Sequence, residues 1–121
     1  MHISSNHVHL ITHIATYRHS FNLYTQIRLL FNRKNKTLRS VLMTKPTIKM
    51  LNENMRTHRA LNNNTHHNAQ TAMEEEVKGA DEIIEEVVNM DQWKDKRANK
   101  LDLDDFLALL AEFNKRGVHF A

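Results

Sequence analysis

The sequence has no cysteine, a single proline and only two glycines in 121 residues. Without cysteine there can be no disulfide framework, no thiolate nucleophile and no sulfur ligand for a metal. So few turn-forming residues argue against a sandwich or barrel, whose many short strands need frequent turns. No apolar run approaches the roughly 18 residues that would mark a membrane span. No acid occurs before Glu53. A serine–histidine–acid order, a glycine-rich phosphate loop and paired metal-ligand spacing are also missing, so neither catalysis nor a bound cofactor or metal is expected.

What is present is a division of charge. Residues 1–71 hold ten Lys and Arg against one acid, a charge of +9, and residues 72–121 hold seven against thirteen, a charge of −6. These combine to the chain's formal +3. The composition therefore predicts two regions: a basic, His- and Asn-rich flexible region over 1–72, and an acidic helical region over 73–121.

In the basic region, histidine and threonine interrupt every short apolar run. His7, His9 and His13 lie close in sequence but lack the cysteine or carboxylate that completes a tight zinc site. The segment "FNLYTQIRLLFNRKNKTLRSVL" is its best local helix, with Phe21, Tyr24, Ile27, Leu30 and Phe31 at helical spacing. An acid-poor leader with arginines and such a helix resembles a mitochondrial transit peptide, which would imply import and removal of the leader. Ten cations spread along the chain, without a reader motif, imply only weak, salt-sensitive association with nucleic acid. "MRTHRALNNNTHHNAQTA", residues 55–72, reads as a linker.

The acidic region has clear helical period. Val77, Ala80, Ile84 and Val87 form one stripe, predicting helix from about Met73 to Lys94. Gly79 weakens its start. A second helix follows "DKRANK", with Asp102 as N-cap and Asp104 and Asp105 in the first turn. Leu103, Phe106, Leu107, Leu110 and Phe113 share its broad apolar face, with Leu109 at the edge. The expected fold is thus mostly α, a short antiparallel hairpin beside a largely disordered basic half. About 50 residues bury too little surface alone, so the apolar faces should take another protein or a second copy.

Two resemblances sharpen that expectation. "LDLDDFLALL" is similar to the acidic-hydrophobic segments of transcriptional activation domains, which would imply a nuclear factor. Arg116-Gly117-Val118-His119-Phe120 resembles the docking motif of regulators that bind type-1 protein phosphatase. That resemblance implies Val118 and Phe120 as pocket anchors and Arg116 as the flanking base. The same residues suit a helix end, with Arg116 as C-cap, Gly117 left-handed and Val118 packing on Phe113. The reading that follows is a small, non-enzymatic cytoplasmic or nuclear interaction protein, or alternatively an imported mitochondrial one.

Overall fold

A computed structural model of the chain describes residues 19–66 and 78–121. They form five α-helices and one 3₁₀ turn. Helix α1 spans residues 19–31, α2 Leu38–Leu42, α3 Lys45–His66, α4 Ala80–Val88 and α5 Leu103–Lys115, with the 3₁₀ turn at Ala98–Lys100. Among the described residues the sole strand-like pairing is an isolated antiparallel bridge between Thr37 and Arg97. No described helix is long and apolar enough to cross a membrane.

Local chemistry sets most of the boundaries. Thr37 caps α2 by accepting from the Ser40 amide at 3.2 Å. Pro46 lies in the first turn of α3, where its missing N–H would have had no partner in any case. At the start of α4, Gly79 has no side chain to offer, and Asn52 of α3 supplies the cap instead: its Oδ1 accepts from the Ala80 amide at 2.9 Å. Asp102 caps α5 in a capping box with Asp105, each side chain accepting from the other's backbone amide at 2.8 and 3.1 Å. At the far end Gly117 takes φ +90°. The Val118 amide then reaches the Phe113 carbonyl at 2.9 Å and the Gly117 amide the Asn114 carbonyl at 3.0 Å. Those two bonds are the Schellman pattern the sequence predicts.

Helix α4 is central. It buries Ala80, Ile83, Ile84, Val87 and Val88, with α2, α3 and α5 packed around it. Leu30, Leu38, Val41, Leu42, Leu51 and Met55 from the basic half join these residues, Trp93, Leu109, Leu110 and Phe113 in one continuous core. This corrects the expected organisation. Residues 19–66 form three helices whose buried side chains share the core with the acidic half, in place of the largely disordered basic half expected. The apolar faces that needed a partner find it within the chain. The expected linker over 55–72 begins inside α3, and the expected leader helix breaks at residues 32–37. Positions 1–18 and 67–77, with His7, His9, His13 and the expected helix start at Met73, lie outside the described residues.

Candidate nucleic-acid interface

The expected partner-binding residues are mostly interior. Phe106 is 3% exposed, and Leu110, Phe113 and Val118 are fully buried, with Phe120 at 2%. Leu107 is half-buried and Leu109 is fully buried, the reverse of their expected order; Leu103 stands exposed. The C-terminal segment is pinned from three sides. The Phe120 ring meets Phe113 edge-on with centroids 5.4 Å apart, and the Phe120 amide donates to Asn22 Oδ1 at 2.9 Å. Asn54 of α3 donates to the His119 carbonyl at 2.9 Å. Arg116 is engaged by Glu112 and Glu86. Docking in a phosphatase groove would require Val118 and Phe120 to leave the core together, so the phosphatase partner is not supported. A cap and a docking anchor cannot be the same side chain at once, and here the cap holds.

A different surface emerges at the other end of α5. The turn after α1, residues 32–37, carries Arg33, Lys34 and Lys36, all exposed; the turn after α4 carries Lys94, Lys96, Arg97 and Lys100, also exposed. The chain laces the two together through its backbone. The Leu38 amide donates to the Lys96 carbonyl at 2.9 Å, and the Asn99 amide to the Lys34 carbonyl at 3.2 Å. Asn99 Nδ2 adds a bond to Asn35 Oδ1 at 3.1 Å, and the Arg97 guanidinium donates to the Asn35 carbonyl. Inward-pointing Trp93, Ala98 and Leu101 anchor the second turn in the core, which leaves its cations outside.

Electrostatically the two turns are rich in cations, with Asp102, Asp104 and Asp105 standing at the adjoining start of α5. Arg39 is held by Glu85, whose hydrogen bond raises the arginine's pKa and draws its own below the usual carboxylate range. None of Arg33, Lys34, Lys36, Lys94, Lys96, Arg97 or Lys100 forms an ion pair among the described residues. Asp91 and Asp95 are the acids in the second turn. A concavity of about 410 Å³ opens along Phe31, Asn32, Arg33, Lys34, Asn35 and Lys36. An aromatic edge beside clustered, unpaired cations suits a polyanion that also carries bases: cations meet phosphates and the ring offers a stacking surface.

In the sequence the ten cations of residues 1–71 read as spread along the chain, and those of "DKRANK" only as part of a turn. Lys34 and Arg97 are brought together only by tertiary folding, and no local motif announces it. No group of three or more His, Asp or Glu suited to a metal occurs among the described residues.

Comparison with known proteins points to nucleic-acid chemistry. No family model matches the chain. Over 94 residues it is 35% identical to a probable dimethyladenosine transferase of Dictyostelium discoideum, covering 78% of this chain and 28% of that protein. It is also 30% identical over 128 residues to an Arabidopsis thaliana ribosomal RNA small subunit methyltransferase, covering 36% of it. The crystal structure of a dimethyladenosine transferase from Plasmodium falciparum superposes with a TM-score of 0.66 at 30% identity, covering 83% of this chain and 33% of that one. The chain thus spans about three tenths of the length of the curated relatives it matches. These likenesses overturn the expectation of a non-enzymatic adaptor or regulatory subunit: the proteins this chain is similar to, in sequence and in fold, are methyltransferases.

Proposed function

We propose that the chain serves the dimethylation of adenosine in small-subunit ribosomal RNA, and that its paired basic turns are the surface that grips the RNA. The observation that carries this reading is the lacing of residues 32–37 to residues 94–100, which gathers cations from both halves into one exposed surface. The named activities of the relatives supply the kind of polyanion. Arg33, Lys34, Lys36, Lys96 and Arg97 would contact phosphates, and the Phe31 ring borders the concavity where a base could stack.

A methyl donor of nucleotide type needs a cradle, commonly a glycine-rich turn between strand and helix. The residues in hand do not fit that role. No strand precedes a helix among the described residues, Gly79 caps α4, and Gly117 closes α5. No methyl-transfer step is therefore assigned to side chains of this segment. Its contribution is substrate holding, which lowers the barrier of a transfer by fixing the orientation of the reactants.

Fluorescence anisotropy with a labelled hairpin of small-subunit ribosomal RNA, from 50 to 200 mM salt, tests the reading. Each phosphate contact contributes about 0.7–0.9 to the slope of log affinity against log salt. Replacing Arg33, Lys34 and Lys36 together by alanine should weaken binding and flatten the slope by about 2. Lys115→Ala, at the opposite end of α5, should leave both unchanged. An unaltered slope in the triple variant contradicts the proposal.

A further inference from the structure

Among the described residues, Asp95 is the one non-glycine residue with a positive φ, at 60°. Side chains other than asparagine and aspartate seldom enter that left-handed region, because Cβ crowds the following carbonyl. Its place in the chain gives the conformation a consequence. Two positions earlier, Trp93 is buried in the core. One position later, the Lys96 carbonyl accepts from the Leu38 amide at 2.9 Å and so begins the lacing. Up to Lys94 the backbone still winds as a helix does, with the Lys94 amide bonded to the Met90 carbonyl four residues back at 2.9 Å. The Lys96 amide then closes on the Trp93 carbonyl at 3.1 Å, which makes Asp95 the third residue of a four-residue turn. In the commonest turn that residue has φ of about −90°, so a positive φ there sends the chain out in another direction. Other links to the first turn lie downstream. They are the Thr37–Arg97 bridge, the Arg97 guanidinium on the Asn35 carbonyl and the Asn99 amide on the Lys34 carbonyl.

The side chain of Asp95 offers no comparable service. It is exposed and forms no ion pair among the described residues, although Lys94 and Lys96 flank it. On a surface that meets phosphates, a carboxylate opposes the ligand. Its charge therefore does not account for the residue, and its conformation does. We propose that Asp95 is a positioning residue: its left-handed backbone sets the register that stands Lys96 and Arg97 beside Lys34 and Lys36 on one polyanion-binding face. This role rests on the RNA reading above and adds to it the residue that aligns the two turns. Substitutions separate conformation from charge. Glycine enters the left-handed region freely and asparagine readily, whereas valine, branched at Cβ, hardly enters it.

The test compares the full chain with its Asp95→Gly, Asp95→Asn and Asp95→Val variants, using the RNA hairpin and salt range given above. The glycine and asparagine variants should keep the salt slope and bind at least as tightly as the parent. Asp95→Val should lower the slope by about 1.5, the share of two phosphate contacts. Its cross-links to RNA should vanish from residues 94–100 and persist in residues 32–37. Two readouts need no RNA. Trp93 is the chain's single tryptophan, so its emission reports whether the core anchor stays buried, and it should be the same in all four proteins. Hydrogen exchange at the Leu38 amide, which the lacing protects, should quicken at least tenfold in Asp95→Val alone. An unchanged slope or unchanged Leu38 exchange in the valine variant overturns the proposal. A red-shifted Trp93 emission in that variant does so too, because Asp95 would then hold the fold and not the register. Weaker binding by both the glycine and the asparagine variants would assign the role to the carboxylate instead. If the parent binds no RNA, the RNA reading fails, while Leu38 exchange and Trp93 emission still decide whether Asp95 sets the register of the turns.

Discussion

The backbone amide of Asn99 donates to the carbonyl of Lys34 at 3.2 Å, joining the turn that follows α1 to the turn that follows α4. The chain's basic and acidic halves meet at this bond, and the cations on both sides are left facing solvent. Because backbone groups make much of the lacing, single side-chain changes there should alter charge without dissolving the surface. The RNA-binding variants proposed above are therefore expected to fold.

Trp93 is the anchor of the second turn, and its indole Nε1–H is buried without a hydrogen-bond partner among the described residues. The ring therefore acts through volume alone, with its polar handle a liability. Trp93→Phe should cost under about 2 kcal/mol, since it removes an unsatisfied donor along with some packing. Trp93→Ala should cost about 3–5 kcal/mol. Urea denaturation of the two variants checks the ordering; equal losses would mean the donor has a partner.

Gly117 tests backbone conformation without packing. Its φ is +90°, and a Cβ built there meets nothing within 4 Å. Gly117→Ala should therefore cost about 1 kcal/mol from the left-handed conformation alone, lowering the melting temperature by roughly 4–8 °C. No change would mean that the end of α5 has relaxed away from the Schellman geometry.

Stability should fall on mild acidification because of His119. Its ring stacks on His58 with centroids 3.9 Å apart. Burial, and then the neighbouring His58 charge, lower its pKa below the ordinary 6.5. The unfolded chain thus takes up a proton that the folded chain resists, so stability is full above pH 6.5 and is lost as pH falls through the folded pKa. Glu85, Glu86 and Glu112 are shifted below 4.5, each mainly by a hydrogen bond from a cation, and act only at lower pH. Melting between pH 7.5 and 5.5 should show a decline that His119→Gln reduces. An undiminished decline in that variant would assign the effect elsewhere.

The parts legible in the sequence were those encoded by neighbouring residues. Asp102 and Asp105 cap α5 because both partners lie within one turn, and Gly117 closes it for the same reason. The stripe of α4 was legible because its buried residues are all apolar. Helix α1 was legible in part. Leu30 is buried and Ile27 packs against the core as the period predicts, whereas Phe21, Tyr24 and Phe31 are exposed. Asn22 is held inside by Asn114 and the Phe120 amide, and Gln26 by the bond from its Nε2 to the Phe106 carbonyl. Helix α3 hides its seam similarly, with buried Thr47 in line with Leu51 and Met55. The basic surface was illegible because its halves lie far apart in sequence. The enzymatic relationship was illegible because it resides in similarity along the chain and in no short motif.

Cross-linking of the chain to a small-subunit ribosomal RNA hairpin, followed by mass spectrometry of the linked peptides, tests the RNA-gripping surface most directly. Adducts are expected in both residues 32–37 and residues 94–100, lost together when Lys34 and Arg97 are replaced by glutamate. Adducts confined to one turn, or gathered on α3 instead, would contradict it.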